Sequence, residues 1–163
     1  PDISNTVREL SKCMDKASSA VFKEMVRVMK LLLGTKDYGL KIQPGAVKDQ
    51  WSLSIYTDSD WAGDKENRRS VTGFVIFLSG VPIYWRSKLQ KSVSLSSSEA
   101  EYYALSEAAK EIKFVVQLLE SVHVKVKFPI MVKVDNVGAI FMAENNTATG
   151  RTRHIDARYH FVS

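Results

Sequence analysis

The stretch WSLSIYTDSDWAG, residues 51–63, is the strongest local constraint on what this chain can fold into. Leu53, Ile55 and Thr57 alternate with Ser52, Ser54 and Tyr56. A period of two puts successive side chains on opposite faces and predicts a half-buried β-strand. The strand runs directly into Asp58 and Asp60. Acids at the C-terminal end of a strand sit where open α/β sheets build their sites, so partners of Asp58 are expected at the ends of other elements.

Downstream, residues 64–69 (DKENRR) form a charged turn, and residues 71–78 (VTGFVIFL) are a nearly continuous apolar run. Such a run predicts a strand buried on both faces. Ser79 and Gly80 make a two-residue turn, and residues 81–86 return as the third strand of an antiparallel meander. A polar, basic connection over 87–95 leads to Ser96, Ser97 or Ser98, any of which can cap a long helix reaching about Val122. Leu105, Ala108, Ile112, Val115 and Leu119 form its apolar stripe; one turn back the stripe lands on Glu101, while Glu99 falls off it. A carboxylate continuing an apolar face is costly to bury unless it is paired or binds a cation, although an acid so early in a helix also suits the helix dipole. Residues 129–134 (PIMVKV) predict a fourth strand, ended by Asp135 and followed by a helix over about 136–143. Asp135 is equally suited to cap that helix.

Upstream, residues 1–34 predict two helices. Ile3, Val7, Leu10 and Met14 stripe the first; Phe22, Met25, Met29 and Leu32 stripe the second, with Ser18 or Ser19 as its cap and Gly34 as its stop. Residues 38–42 suit a short strand, and 43–50 (QPGAVKDQ) a boundary. The domain reading is therefore a small helical segment over 1–42 and a larger α/β domain over 51–163. The tail from Arg153 reads as helical, with Ile155, Tyr159 and Val162 facing inward.

Composition narrows the classes. A chain of 163 residues, 45% hydrophobic and 25% charged, suits one globular domain with a short appendage. A formal charge of +5 leans toward polyanionic partners. The single Cys13 excludes an internal disulfide framework or a cysteine metal cluster, and fits a reducing intracellular compartment. No run approaches the roughly 18 apolar residues of a membrane span, and no signal-peptide pattern opens the chain. It begins at Pro1 without an initiator Met, as an excised or processed piece would. His123, His154 and His160 lack metal-ligand spacing.

A β-β-β-α-β-α order with a right-handed crossover brings the fourth strand beside the first. Asp58 and Asp135 then stand side by side, with Glu101 above them. Clustered carboxylates raise one another's pKa unless a divalent cation neutralises them. Oxygen-only ligands favour Mg²⁺ or Mn²⁺ over Zn²⁺, and carboxylate-held magnesium suits in-line attack of water on a phosphodiester.

The motifs YTDSDWAG, RRSVTGFVIFLSGVPIYWRSK, SLSSSEAEYYAL, KVDNVGAI and RTRHIDARYHFV together resemble the ribonuclease H domain of copia-type retrotransposon Pol polyproteins. PDISNTVREL and VMKLLLGTKDYGL resemble the end of the adjoining reverse transcriptase region. The resemblance implies a ribonuclease H-like mixed sheet, antiparallel in its first three strands and parallel in its fourth. It implies two Mg²⁺ ions, replaceable by Mn²⁺, and hydrolysis of the RNA strand of an RNA/DNA hybrid during reverse transcription. It further implies the reverse transcriptase portion as a partner and a cytoplasmic virus-like particle or the nucleus as location. Its metal ligands fall on Asp58, Glu101 and Asp135, with Asp156 the candidate for a fourth; Asp156 alternatively pairs with His160 or Arg153. The family continues past the HFV motif, so the domain is expected to be truncated at its C-terminal end. Lys88, Gln90 and Lys91, with Trp85, Arg86, Arg68 and Arg69, are candidates to meet the phosphates of a hybrid. Ser98 and Asn136 are candidates to meet its 2′-hydroxyls. The competing reading is an inactive nucleic-acid-binding or structural remnant.

Overall fold

The computed structural model describes residues 2–16, 18–40 and 50–144. The chain divides into two compact units, Pro1–Gln43 and Pro44–Ser163. In the first, helices α1 (Ser4–Ser11) and α2 (Ser19–Gly34) form as the apolar spacing predicts. Ser18 caps α2, its hydroxyl accepting from the Val21 N–H at 3.3 Å. Helix α2 runs through Gly34 and ends on Thr35, whose N–H donates to the Leu31 and Leu32 carbonyls. The strand expected over 38–42 does not form at Tyr38, Gly39 or Leu40, while Lys41 and Ile42 lie outside the described residues. The Tyr38 N–H is instead used in a turn, donating to the Thr35 carbonyl at 2.9 Å. The α2 stripe is exposed, Phe22 by 61% and Met29 by 57%, and no described residue of this unit is buried.

The second unit is built on one four-stranded sheet of order β3-β2-β1-β4. Strands β1 (Trp51–Asp60), β2 (Val71–Leu78) and β3 (Val81–Leu89) form the antiparallel meander, and β4 (Val126–Lys133) lies parallel to β1. Helix α3 (Ser97–Ser121) makes the crossover between the meander and β4, and α4 (Val137–Glu144) packs against α3. This is the mixed α/β arrangement expected of a ribonuclease H-like fold. Alternation in β1 holds as read: Leu53, Ile55 and Thr57 are buried. With Phe74, Ile76 and Val126 of the sheet and Ala108, Ile112 and Val115 of α3, Leu53 and Ile55 form the main core.

Three expectations change. Strand β2 is not buried on both faces: Phe74 and Ile76 are 3% and 0% exposed, but Val75 and Phe77 are only half-buried. Helix α3 covers the first pair, whereas Phe77 is met edge-on by Tyr56 at 5.5 Å. Strand β3 continues to Leu89, which pairs with Val71, so Lys88 belongs to a strand and not to the connection. Strand β4 begins at Val126, three residues before the apolar run, because Val126 pairs with Trp51.

The β2–β3 turn places both Ser79 and Gly80 at positive φ, 48° and 87°, the twist that suits a two-residue hairpin. Gly80→Ala is expected to lower stability by about 1 kcal/mol, the strain of a side chain at this φ. Urea unfolding measures it.

Candidate metal centre

Asp58 lies within β1 opposite Gly73 of β2, and Asp135 follows the end of β4. Parallel pairing of β1 with β4 sets the two aspartates at the same end of the sheet. Glu101 arrives from above. The start of its helix is fixed by Ser96, whose hydroxyl accepts from the Glu99 N–H at 3.1 Å, and by Glu99, whose carboxylate accepts from the Leu95 N–H at 2.7 Å. These two bonds use Glu99 for the helix end, its carboxylate reaching the residue before the cap. Glu101 continues the buried stripe, 5% exposed.

One carboxylate oxygen from each of Asp58, Glu101 and Asp135 lies within 4.8 Å of the others. Glu101 Oε1 accepts twice from Ser59, from its N–H and from its hydroxyl, both at 2.9 Å. Glu101 Oε2 is buried and has no hydrogen-bond partner among the described residues. Burial pushes the Glu101 carboxyl above its ordinary value; the two Ser59 hydrogen bonds oppose this, and the charges of Asp58 and Asp135 add to it. An all-oxygen cluster with a buried, unpartnered carboxylate oxygen fits a hard divalent cation, and the triad can hold one.

Asp60 stands apart from the triad. Its carboxylate occupies the space over Gly63, where a Cβ would meet Oδ2 at 2.1 Å. Ser59, between the two acids, carries a role that sequence reasoning did not assign. Nothing in a DSD triplet shows that its hydroxyl reaches a carboxylate 42 residues away. Ser59→Ala keeps the N–H bond to Glu101 and removes the O–H bond. It is expected to weaken Mn²⁺ binding about tenfold, as loss of a hydrogen bond that orients a metal ligand commonly does. Calorimetric titration with Mn²⁺ checks this.

The expected nucleic-acid contacts fare unevenly. Lys88 and Lys91 are exposed. Gln90 is internal, 1% exposed, and so offers no surface to a phosphate. Its amide donates to Thr72 Oγ1 and the Ala100 carbonyl and accepts from the Ser94 hydroxyl, so none of it faces solvent. Ser98 and Asn136 bond each other at 3.0 Å, and Asn136 Oδ1 also accepts from the Ala139 N–H at 3.1 Å, capping α4. Asn136, not Asp135, is the helix cap, which leaves the Asp135 carboxylate to the cluster. Arg86 pairs with Glu111 of α3. Asp156 lies outside the described residues.

No family model and no solved structure matches the chain. Among known proteins it is 35% identical over 162 residues to the retrovirus-related Pol polyprotein from transposon RE2 of Arabidopsis thaliana, a match covering 99% of this chain and 11% of that protein. The Pol polyprotein from transposon TNT 1-94 of Nicotiana tabacum is likewise 35% identical, over 99% of this chain and 12% of its own length. Secreted RxLR effector protein 161 of Plasmopara viticola is 42% identical over 112 residues, 68% of this chain and 76% of that protein. The chain thus spans little more than a tenth of the polyproteins it matches nearly end to end. It belongs to the family of retrovirus-related Pol polyproteins from copia-type transposons.

Proposed function

We propose that residues 51–163 are the ribonuclease H portion of such a polyprotein, a divalent-metal-dependent nuclease that hydrolyses the RNA strand of RNA/DNA hybrids. The observation that carries this reading is the convergence of Asp58, Glu101 and Asp135 to within 4.8 Å on a sheet of the matching topology. The three carboxylates would hold Mg²⁺, or Mn²⁺ in its place. Bound divalent cations supply the positive charge that attack of water on a phosphodiester requires. Ser59 holds Glu101 Oε1 and so leaves Oε2 for the cation. Lys88 and Lys91, exposed at and just beyond the end of β3, are placed to neutralise substrate phosphates. Residues 1–42 are assigned to the end of the reverse transcriptase region, the partner within the same polyprotein.

Labelled RNA/DNA hybrid, duplex DNA and duplex RNA, each incubated with Mg²⁺, Mn²⁺ or EDTA, test the proposal. Cleavage confined to the RNA strand of the hybrid, and abolished by EDTA, is expected. Cleavage of duplex DNA would replace the substrate assignment. Binding without cleavage under every metal would favour the inactive remnant.

A further inference from the structure

The main core takes the buried Ala108, Ile112 and Val115 from α3, with Val116 and Leu119 packed against it. Nearer its start, where Glu101 sits, Ala100, Tyr102, Ala104 and Leu105 are buried too, and polar groups beside them join the helix to the sheet. The largest of these is Gln90. Its amide has two N–H donors, and both are used: one on Thr72 Oγ1 of β2 at 3.1 Å, the other on the Ala100 carbonyl at 3.0 Å. Ala100 immediately precedes Glu101. The acceptor oxygen of Gln90 takes the Ser94 hydroxyl at 3.1 Å. Its backbone N–H donates to the Ser70 carbonyl at 2.8 Å, and the Ser70 hydroxyl accepts from the N–H of Ala62, just past β1, at 3.1 Å.

We infer that Gln90 is a positioning residue: it sets the height of the first turns of α3 over the sheet, and with it the distance of Glu101 from Asp58 and Asp135. Apolar contacts tolerate small sliding because they are non-directional; hydrogen bonds are directional and do not. Here the directional contacts stand one residue from a metal-binding carboxylate. The role rests on the metal-centre reading above, and acts through Glu101 without Gln90 touching ion or substrate.

The test compares two variants of the full chain by Mn²⁺ titration and thermal unfolding in EDTA. Gln90→Met keeps the side-chain length and removes all three side-chain hydrogen bonds. Val115→Ala makes a cavity in the distal core, 6% exposed in the native chain. Both are expected to lower the unfolding temperature. Only Gln90→Met is expected to weaken Mn²⁺ binding, by about tenfold, the low end for residues that orient metal ligands. Equal Mn²⁺ affinity in Gln90→Met and wild type would overturn the inference while leaving the metal centre standing. So would an equal loss of affinity in both variants, which marks a general effect of stability. No Mn²⁺ binding by the wild type would instead remove the metal-centre reading, and the inference with it. If Gln90→Met does not fold, the double variant Thr72→Val/Ser94→Ala, which strips two of the amide's partners, takes its place. Unchanged Mn²⁺ affinity there overturns the inference equally.

Discussion

Glu101→Gln is expected to silence metal-dependent cleavage and, in the same molecule, to make the metal-free protein more stable. The two effects have one cause. Glu101 is 5% exposed, one of its oxygens has no partner among the described residues, and two further carboxylates lie within 4.8 Å. In the absence of a cation that arrangement is a cost, since a buried charge without compensation is unfavourable. Glutamine keeps an acceptor for the two Ser59 donors and turns the other end into a donor for Asp58 and Asp135. Removing the penalty should raise stability by about 1–3 kcal/mol, or roughly 2–4 °C of unfolding temperature per kcal/mol for a chain of this size. Metal affinity should fall at least about a hundredfold, because losing a ligand exceeds the 10–100-fold loss seen for groups that merely orient one. Thermal unfolding in EDTA and hybrid cleavage in Mg²⁺ read the two effects separately. Cleavage at the wild-type rate would dismiss Glu101 as a ligand. A lowered unfolding temperature in EDTA would mean that its carboxylate is chiefly a structural acceptor for Ser59.

Much of this geometry was legible in residue order. The period of two in Leu53, Ile55 and Thr57 placed β1, and the stripe Leu105, Ala108, Ile112 and Val115 pointed back to Glu101 and away from Glu99. Those signals are local, since burial repeats with the period of the element. What could not be read is non-local. The extension of β3 to Leu89 and the early start of β4 at Val126 depend on which partner strand lies opposite. Gln90, in a basic polar stretch, has the composition of a solvent-facing contact. Its burial follows from Thr72, Ser94 and Ala100 converging from three directions, which no spacing announces. Ser98 and Asn136, candidates to meet a 2′-hydroxyl, also bond each other and so join α3 and α4, a contact that spacing does not announce. In the N-terminal unit the α2 stripe predicted the helix, and amphipathicity fixes a face without fixing what covers it.

Excess Mg²⁺ or Mn²⁺ is expected to stabilise the protein at neutral pH and to lose that effect on acidification, while Glu101 drives the metal-free protein the other way. Burial, together with the charges of Asp58 and Asp135, lifts the Glu101 carboxyl above its ordinary value of 4.5. Between the unfolded value and the raised folded value, the folded state therefore holds more protons than the unfolded state. Stability then falls as pH rises across that window. In EDTA, the Glu101 contribution is complete below 4.5 and is gone once pH passes the folded value. Cation binding reverses the preference, because it requires the charged form and competes with the proton. At a hundredfold excess over the dissociation constant it adds about 2.7 kcal/mol. That increment should shrink as pH drops through the raised Glu101 value, at a higher pH than for an exposed glutamate. Other carboxylates titrate too, so the informative quantity is the difference in unfolding temperature with and without metal at each pH, in which groups remote from the site cancel. A metal-induced shift that persists undiminished down to pH 4.5 would show that the raised carboxyl is not among the ligands. In Glu101→Gln the corresponding part of the metal-free pH slope should vanish, which assigns it to this one side chain.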